Sequence, residues 1–202
     1  IAGSPSHKRR AGSRKGRNGT KTCCLVLLSG GMDSAACTDF CLQQGFAVKG
    51  LHVTYAQASA HQELLAARKV ASYYNMPLTT IKLLGAGPKA DGEIYARNAV
   101  LLSLALMEVR AKPAILAIGI HSGTRYFDCS AAFVSHMQLI TDGQCGGSIR
   151  ILAPFLDWSK RDIWDYCQKR VVPIHLAYSC EKGLAKPCGA CLSCRDMEAL
   201  RA

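Results

Sequence analysis

The apolar run Cys23-Cys24-Leu25-Val26-Leu27-Leu28 breaks into Ser29-Gly30-Gly31-Met32-Asp33-Ser34, and a helix-like segment follows, ending at Gly45. A buried strand, a tight Gly-Gly turn and a helix start in immediate succession leave little choice of architecture. This order sets several backbone N–H groups and the positive end of a helix against one anion. Gly30 and Gly31 supply conformational freedom and close backbone approach. Ser29 and Ser34 add hydroxyl donors, and Met32 joins them through its place in the loop. Asp33 is the unusual member, because a carboxylate beside a phosphate site makes sense if it holds Mg²⁺ or orients a donor. No Lys-Ser/Thr pair follows the glycines, so this is not the GxxxxGK[ST] loop.

Strands and helices alternate along the rest of the chain, as in an α/β, doubly wound, mostly parallel sheet. Strands are expected at Val48–Tyr55, Leu78–Leu83, Pro113–Ile120 and Ile151–Ala153. Helices are expected at residues 33–45, His61–Tyr74, Glu93–Arg110 and Ala131–Ile140, the third apolar over most of its length and so expected to be buried. Ser159 with Asp162 three residues on reads as the N-cap of a further helix ending near Arg170. Ligands bind at the carboxyl ends of such strands, which hold Ser29–Ser34, Tyr55–Gln57 and His121–Asp128.

A net charge of +11 over 202 residues suggests nucleic acid until it is divided. Residues 1–22 carry seven Lys and Arg and no acid, which leaves +4 for the remainder. Residues 1–22 therefore read as a basic, disordered tail, able to touch nucleic acid non-specifically but better explained as a dispensable or vector-derived extension. A start on Ile1 is expected of a trimmed or replaced N-terminus. The chain as a whole is 49% apolar and 19% charged, which excludes general disorder. No apolar run reaches the ~18 residues of a membrane span, and no signal peptide is evident, so a cytoplasmic location is expected.

Eleven cysteines suggest a disulfide scaffold, but their placement argues otherwise. Cys23, Cys24, Cys37, Cys41 and Cys167 lie in apolar settings, where free Cys acts as a small hydrophobe. Cys180, Cys188, Cys191 and Cys194 form C-x7-C-x2-C-x2-C, with Gly189 in the knuckle turn. Four thiolates at this spacing give the closed tetrahedral shell of structural Zn²⁺. An iron–sulfur cluster and two disulfides are the rival readings, and a reducing compartment disfavours the second. The chain thus divides into a tail (1–22), a nucleotide-binding domain (23–175) and a C-terminal zinc-binding segment (176–202).

The Ser29–Ser34 loop resembles the SGGxDS loop of PP-loop ATP pyrophosphatases, which cleave ATP between the α- and β-phosphates and adenylate a substrate. Together with the cysteine group, residues 23–201 resemble the 7-cyano-7-deazaguanine synthase (QueC) family. Tyr55-Ala56-Gln57 matches its YxQ, and Glu63 falls one position after its acidic residue. Arg97-Asn98 looks like its GRN segment, Tyr126-Phe127-Asp128-Cys129 with Phe133 like its YPDC…F, and Pro154, Lys160 and Trp164 like its P-x(5)-K…W. Ser179-Cys180 opens the metal motif.

The resemblance implies an ATP-dependent ligase that activates the carboxylate of 7-carboxy-7-deazaguanine, adds ammonia to give the amide and dehydrates it to the nitrile. Asp33, Ser34 and Arg97 would be catalytic. Ser29, Gly30, Gly31, Met32, Asp33 and Ser34 would bind ATP and Mg²⁺. Tyr55, Gln57, Arg97, Asn98, Tyr126 and Asp128 would bind substrate, and a homodimer is implied. Arg97-Asn98 as an exposed helix start, and Asp128 as a cap for the next helix, are the structural alternatives.

Ala58-Ser59 stand where the family has Arg-His, Ser122 replaces an acidic residue, and the stretch before Arg97 is reduced to Leu84–Ala96. These departures suit a divergent enzyme that forms an amide or acts on a macromolecule, as in antiviral defence. A tRNA sulfur transferase using Cys129, and a non-catalytic zinc-ribbon nucleic-acid-binding module, are the readings from other classes.

Overall fold

The computed structural model describes residues 21–84, 94–109, 113–121, 123 and 126–202. The basic tail up to residue 20, most of the stretch before Arg97, and Ser122 lie outside the described residues. Five parallel strands form one sheet in the order β3-β2-β1-β4-β5. They are β1 (Cys23–Leu27), β2 (Ala47–Thr54), β3 (Leu78–Lys82), β4 (Ala114–Ala117) and β5 (Ile149–Leu152). Among the described residues six α-helices accompany them: α1 (Met32–Gln43), α2 (Ala60–Tyr73), α3 (Arg97–Glu108), α4 (Ala131–Cys145), α5 (Lys160–Arg170) and α6 (Leu192–Arg201). Because β1 pairs with β2 on one side and β4 on the other, the strand order reverses at β1. The crevice at such a switch point is where doubly wound sheets bind ligands.

Side-chain alternation along the central strands fills both faces. Cys24, Val26 and Leu28 enter a core shared with α1, α2, α5 and α6, whereas Leu25 and Leu27 enter a second core shared with α3 and α4. Within the first core, Asp39 of α1 is almost fully buried and is satisfied by Tyr166 Oη (2.7 Å) and Arg170 Nε (3.3 Å) of α5. Such a buried carboxylate is tolerated because its acceptors are filled.

The expected elements are present, with shifted ends. α4 runs five residues past Ile140, to a left-handed cap at Gly146. α3 starts at Arg97 rather than Glu93, and the outer residues Glu93 and Arg110 lie outside the described residues. α3 is also not buried throughout, since Val100 is 44% and Met107 72% exposed. An apolar helix laid on one face of a sheet can bury one stripe only, here Asn98, Leu102 and Ala105. None of the eleven cysteines is in a disulfide. Cys24, Cys37, Cys41 and Cys167 are buried as expected, and Cys23 is half-buried. Among the described residues no helix is long and apolar enough to cross a membrane.

Candidate active site and metal centre

The loop leaving β1 is held together by its own hydroxyls. Ser34 Oγ accepts from Gly30 N (3.2 Å) and from Ser29 Oγ (3.1 Å) and donates to Gly31 O (2.9 Å), while Ser29 Oγ accepts from Gly31 N (3.2 Å). Gly31 is the N-cap of α1, and no side chain caps the helix. The first-turn N–H groups thus face the crevice, an arrangement that favours an anion. Met32 contributes backbone only, because its side chain is buried in the core.

Gly30 has φ +93°, and a Cβ there would stand 2.4 Å from Glu63 O and 2.9 Å from Ala67 N of α2. The loop therefore presses against α2 with no room for a side chain. We expect Gly30→Ala to cost more than about 1 kcal/mol, read as a lower urea midpoint, and to abolish nucleotide binding.

The other carboxyl ends converge on this loop. The Ser159–Asp162 capping box is formed as expected and fixes the start of α5. Lys160, the first residue of that helix, bonds both oxygens of Asp33 (2.7 and 2.5 Å). His121, on the segment leaving β4, places Nε2 3.9 Å from Asp33 Oδ2. Burial holds its imidazole below the ordinary pKa, with the nearby Asp33 charge pulling the other way.

A second cluster joins the end of β2 to the start of α3. Burial raises the Tyr55 hydroxyl above its usual pKa, and Arg97, hydrogen-bonded to it, partly offsets this. Arg97 Nε also donates to Asn98 Oδ1 (3.4 Å). Asp128 Oδ2 accepts from Asn98 N (3.1 Å), and Asn98 Nδ2 donates to Asp128 O (2.9 Å). Asp128 thus caps α3, whereas the following helix α4 is capped by Ser130, whose Oγ accepts from Phe133 N. Ala56 and Ala96, the neighbours of this cluster, both adopt positive φ (65° and 59°). Strain of this kind in alanine gathers at functional sites.

Gln57 is occupied within its own turn. Its Oε1 accepts from Tyr55 N (2.7 Å) and its Nε2 donates to Glu63 Oε2 (2.9 Å), and Ser59 Oγ donates to Glu63 Oε1 (2.7 Å). Tyr126 is half-buried and packs against the second core. Cys129 is 7% exposed, within 3.8 Å of Asn98 Nδ2 and Asp128 Oδ1.

The sulfur atoms of Cys180, Cys188, Cys191 and Cys194 all lie within 4.8 Å of one another. Tetrahedral M–S bonds of about 2.3 Å separate the sulfurs by about 3.8 Å, and Cys188 Sγ lies 3.9 Å from Cys194 Sγ. One ion therefore fits. In a four-iron cube each thiolate binds a different iron and the sulfurs would stand further apart. Burial works against ionisation of Cys180, but N–H groups of Cys188 and Lys182 bring its thiol down to about 6. The N–H groups of Ala190 and Cys191 lower Cys188 as well. Cys194 is the exception, since burial pushes its thiol up to about 12.

This segment is fastened to the Ser29–Ser34 loop. Tyr178 N donates to Gly30 O (2.9 Å). Gly183, at φ +69°, lies so close to Ala58 that a Cβ would stand 2.1 Å from its carbonyl oxygen.

The chain matches the model of the family described as Queuosine biosynthesis protein QueC over residues 23–86 and 91–200. The chain belongs to the QueC family.

Among its relatives, a 7-cyano-7-deazaguanine synthase 2 from Desulfitobacterium hafniense (strain Y51) is 35% identical over 199 residues, covering 84% of each chain. A 7-cyano-7-deazaguanine synthase from Nautilia profundicola is 28% identical over 198 residues, covering 85% of this chain and 89% of its own. A solved structure described as a predicted subunit of tRNA methyltransferase from Methanocaldococcus jannaschii has a TM-score of 0.54 at 16% identity. It covers 73% of this chain and 76% of its own, and so speaks to the fold alone.

Of the residues that the QueC motifs single out, the structure brings Asp33 and Ser34 together at one cluster and Tyr55, Arg97, Asn98 and Asp128 at another. Three neighbours carry no role in the sequence reading. Lys160 is visible there as a motif match, His121 only by its position after a strand, and Tyr178 not at all, because it acts through its backbone.

Proposed function

We propose that this QueC-family chain is an ATP-dependent 7-cyano-7-deazaguanine synthase. The observation that carries this reading is the uncapped N-terminus of α1 beside the Asp33–Lys160 pair. Residues 23–175 would bind nucleotide, and residues 176–202 would bind Zn²⁺ through Cys180, Cys188, Cys191 and Cys194. The residues at the loop suit Mg²⁺ as well, since Asp33 is a half-buried carboxylate still partly open to solvent. When bound, the ion would neutralise phosphate charge.

A carboxylate is a poor electrophile until one oxygen becomes part of a leaving group. The α1 N–H groups and the loop hydroxyls hold the phosphates in line. The substrate carboxylate oxygen attacks the α-phosphorus, and pyrophosphate departs. Ammonia then displaces AMP from the acyl adenylate to give the amide. A second ATP then adenylates the amide oxygen with release of pyrophosphate, and AMP departs carrying that oxygen while the nitrogen gives up its two protons, which leaves the nitrile.

Arg97, with its bidentate fork, would receive the substrate carboxylate, and Asp128 would accept N–H groups of the purine edge. Since one Asp128 oxygen already caps α3, Arg97→Ala is the cleaner test. We expect it to weaken acceptor binding at least about tenfold, the worth of one charged hydrogen bond, with ATP affinity unaltered. Purified protein given ATP, Mg²⁺, ammonium and 7-carboxy-7-deazaguanine should release AMP and the nitrile, seen by mass spectrometry. Absence of acceptor binding in metal-loaded, ATP-binding protein would refute this substrate.

A divergent acceptor has one specific observation in its favour. Beside the Tyr55–Ser59 turn, a groove of about 390 Å³ lined by Thr54, Ala56, His61, Leu64 and Leu83 opens at the ends of β2 and β3. Ala58 and Ser59 leave that side without the Arg-His pair of the family. Amide as the end product, or turnover only with a macromolecular acceptor, would favour this reading. Sulfur transfer through Cys129 fits poorly, because that thiol is buried against Asn98 and Asp128.

A further inference from the structure

His121 has no part in the chemistry above, yet it lies over the carboxylate on which that chemistry depends. Its side chain is nearly buried, with Nε2 3.9 Å from Asp33 Oδ2. Its other nitrogen, Nδ1, accepts from Gly123 N at 3.0 Å. That contact decides the tautomer. With Nδ1 an acceptor, the ring proton sits on Nε2 and faces Asp33. A doubly protonated ring would set an Nδ1–H against the Gly123 N–H.

Two glycines make the arrangement possible. A Cβ at Gly123 would stand 2.7 Å from His121 Nδ1, and one at Gly119 would stand 2.6 Å from Asp33 O. The exit of β4 therefore rests directly on the start of α1, and the imidazole is carried there by backbone packing.

We propose that His121 is a positioning residue for the Asp33 carboxylate: its neutral Nε2–H, 3.9 Å from Oδ2 and so beyond hydrogen-bond distance while Lys160 holds both oxygens, becomes the donor that orients the carboxylate once it turns to a divalent cation. This rests on the reading of Ser29–Ser34 as the ATP site. In the structure, Asp33 spends both oxygens on Lys160. If ATP and a divalent cation enter together, Lys160 is drawn to phosphate and the carboxylate turns to the cation. A second cationic partner on Asp33 would compete with that cation. A neutral donor does not, and it keeps the carboxylate aimed while Lys160 leaves. Hydrogen-bond donors behind a metal-binding group act in this way elsewhere, and their loss costs metal affinity rather than fold.

The test is equilibrium binding of a fluorescent ATP analogue, titrated with Mg²⁺, in wild type, His121→Phe, His121→Gln and Gly123→Ala. His121→Phe keeps bulk and removes the donor. His121→Gln retains a donor, and Gly123→Ala displaces the imidazole without replacing it. In His121→Phe and Gly123→Ala we expect the Mg²⁺ needed for half-maximal binding to rise about tenfold or more, and His121→Gln to stay within about threefold of wild type. Binding without Mg²⁺ should be the same in all four proteins. A His121→Phe curve superimposed on wild type would overturn the proposal, as would His121→Gln matching His121→Phe. Should His121→Phe fail to fold, Gly123→Ala decides by the same criterion. A wild-type protein with no Mg²⁺-dependent binding would refute the ATP-site reading itself. Mg²⁺-dependent wild type with unaffected variants refutes the role of His121 alone.

Discussion

Replacing Cys188 by Ser will strip the metal from the C-terminal segment and, with it, most of the ATP binding. Structural Zn²⁺ contributes on the order of 10 kcal/mol to the fold of a small metal segment, and residues 176–202 have little else to order them. Only Cys180, Cys191 and Leu200 of that segment are buried hydrophobic residues. The consequence reaches the nucleotide site through two contacts, Tyr178 N to Gly30 O and Gly183 against Ala58. Once these are released, the glycine loop loses one wall and the Tyr55–Ser59 turn loses another. Metal analysis should return one Zn²⁺ per wild-type chain and none in the variant, alongside reduced soluble yield. Full folding and ATP binding in a metal-free Cys188→Ser protein would show that the segment is ornamental.

The second large effect is expected at Asp33. Asp33→Asn keeps the size of the side chain but removes the charge that Lys160 pairs and that a divalent cation would need. Loss of one preorganised electrostatic partner in an active site costs about a hundredfold to a thousandfold in turnover. We expect AMP release to fall by at least that lower figure, with thermal stability nearly unchanged, because the Asp33–Lys160 pair is partly open to solvent and such pairs contribute little to folding. Ser34→Ala will behave differently. The residue is buried and its Oγ satisfies Gly30 N. Removing it leaves a donor unpaired, a cost of about 1–3 kcal/mol. Ser34→Ala should lower both stability and turnover, and only Asp33→Asn isolates the chemistry.

The sequence by itself determined the strand–loop–helix at residues 23–43, the alternation that builds a parallel sheet, the start of α5 and the four cysteines that gather in one cluster. Each rests on a local rule. Glycine pairs permit a turn, unbroken apolar runs require burial, Ser-x-x-Asp caps a helix, and closely spaced cysteines share one ion. Tertiary structure decided what local rules do not carry. α6 has no local start or stop signal in the sequence, because its ends are completed from elsewhere, Glu181 receiving Ser193 N at one end and Arg161 binding the Ala199 and Leu200 carbonyls at the other. α3 reads as buried in sequence, but a helix on one face of a sheet hides only one stripe. Asp128 reads equally as ligand or cap until Asn98 is found beside it, thirty residues away in the chain. Lys160 and His121 meet Asp33 only because β1 lies at the reversal of strand order. That reversal gathers the carboxyl ends of β1 and β4, and α5, around one carboxylate, a proximity that no spacing in the chain encodes.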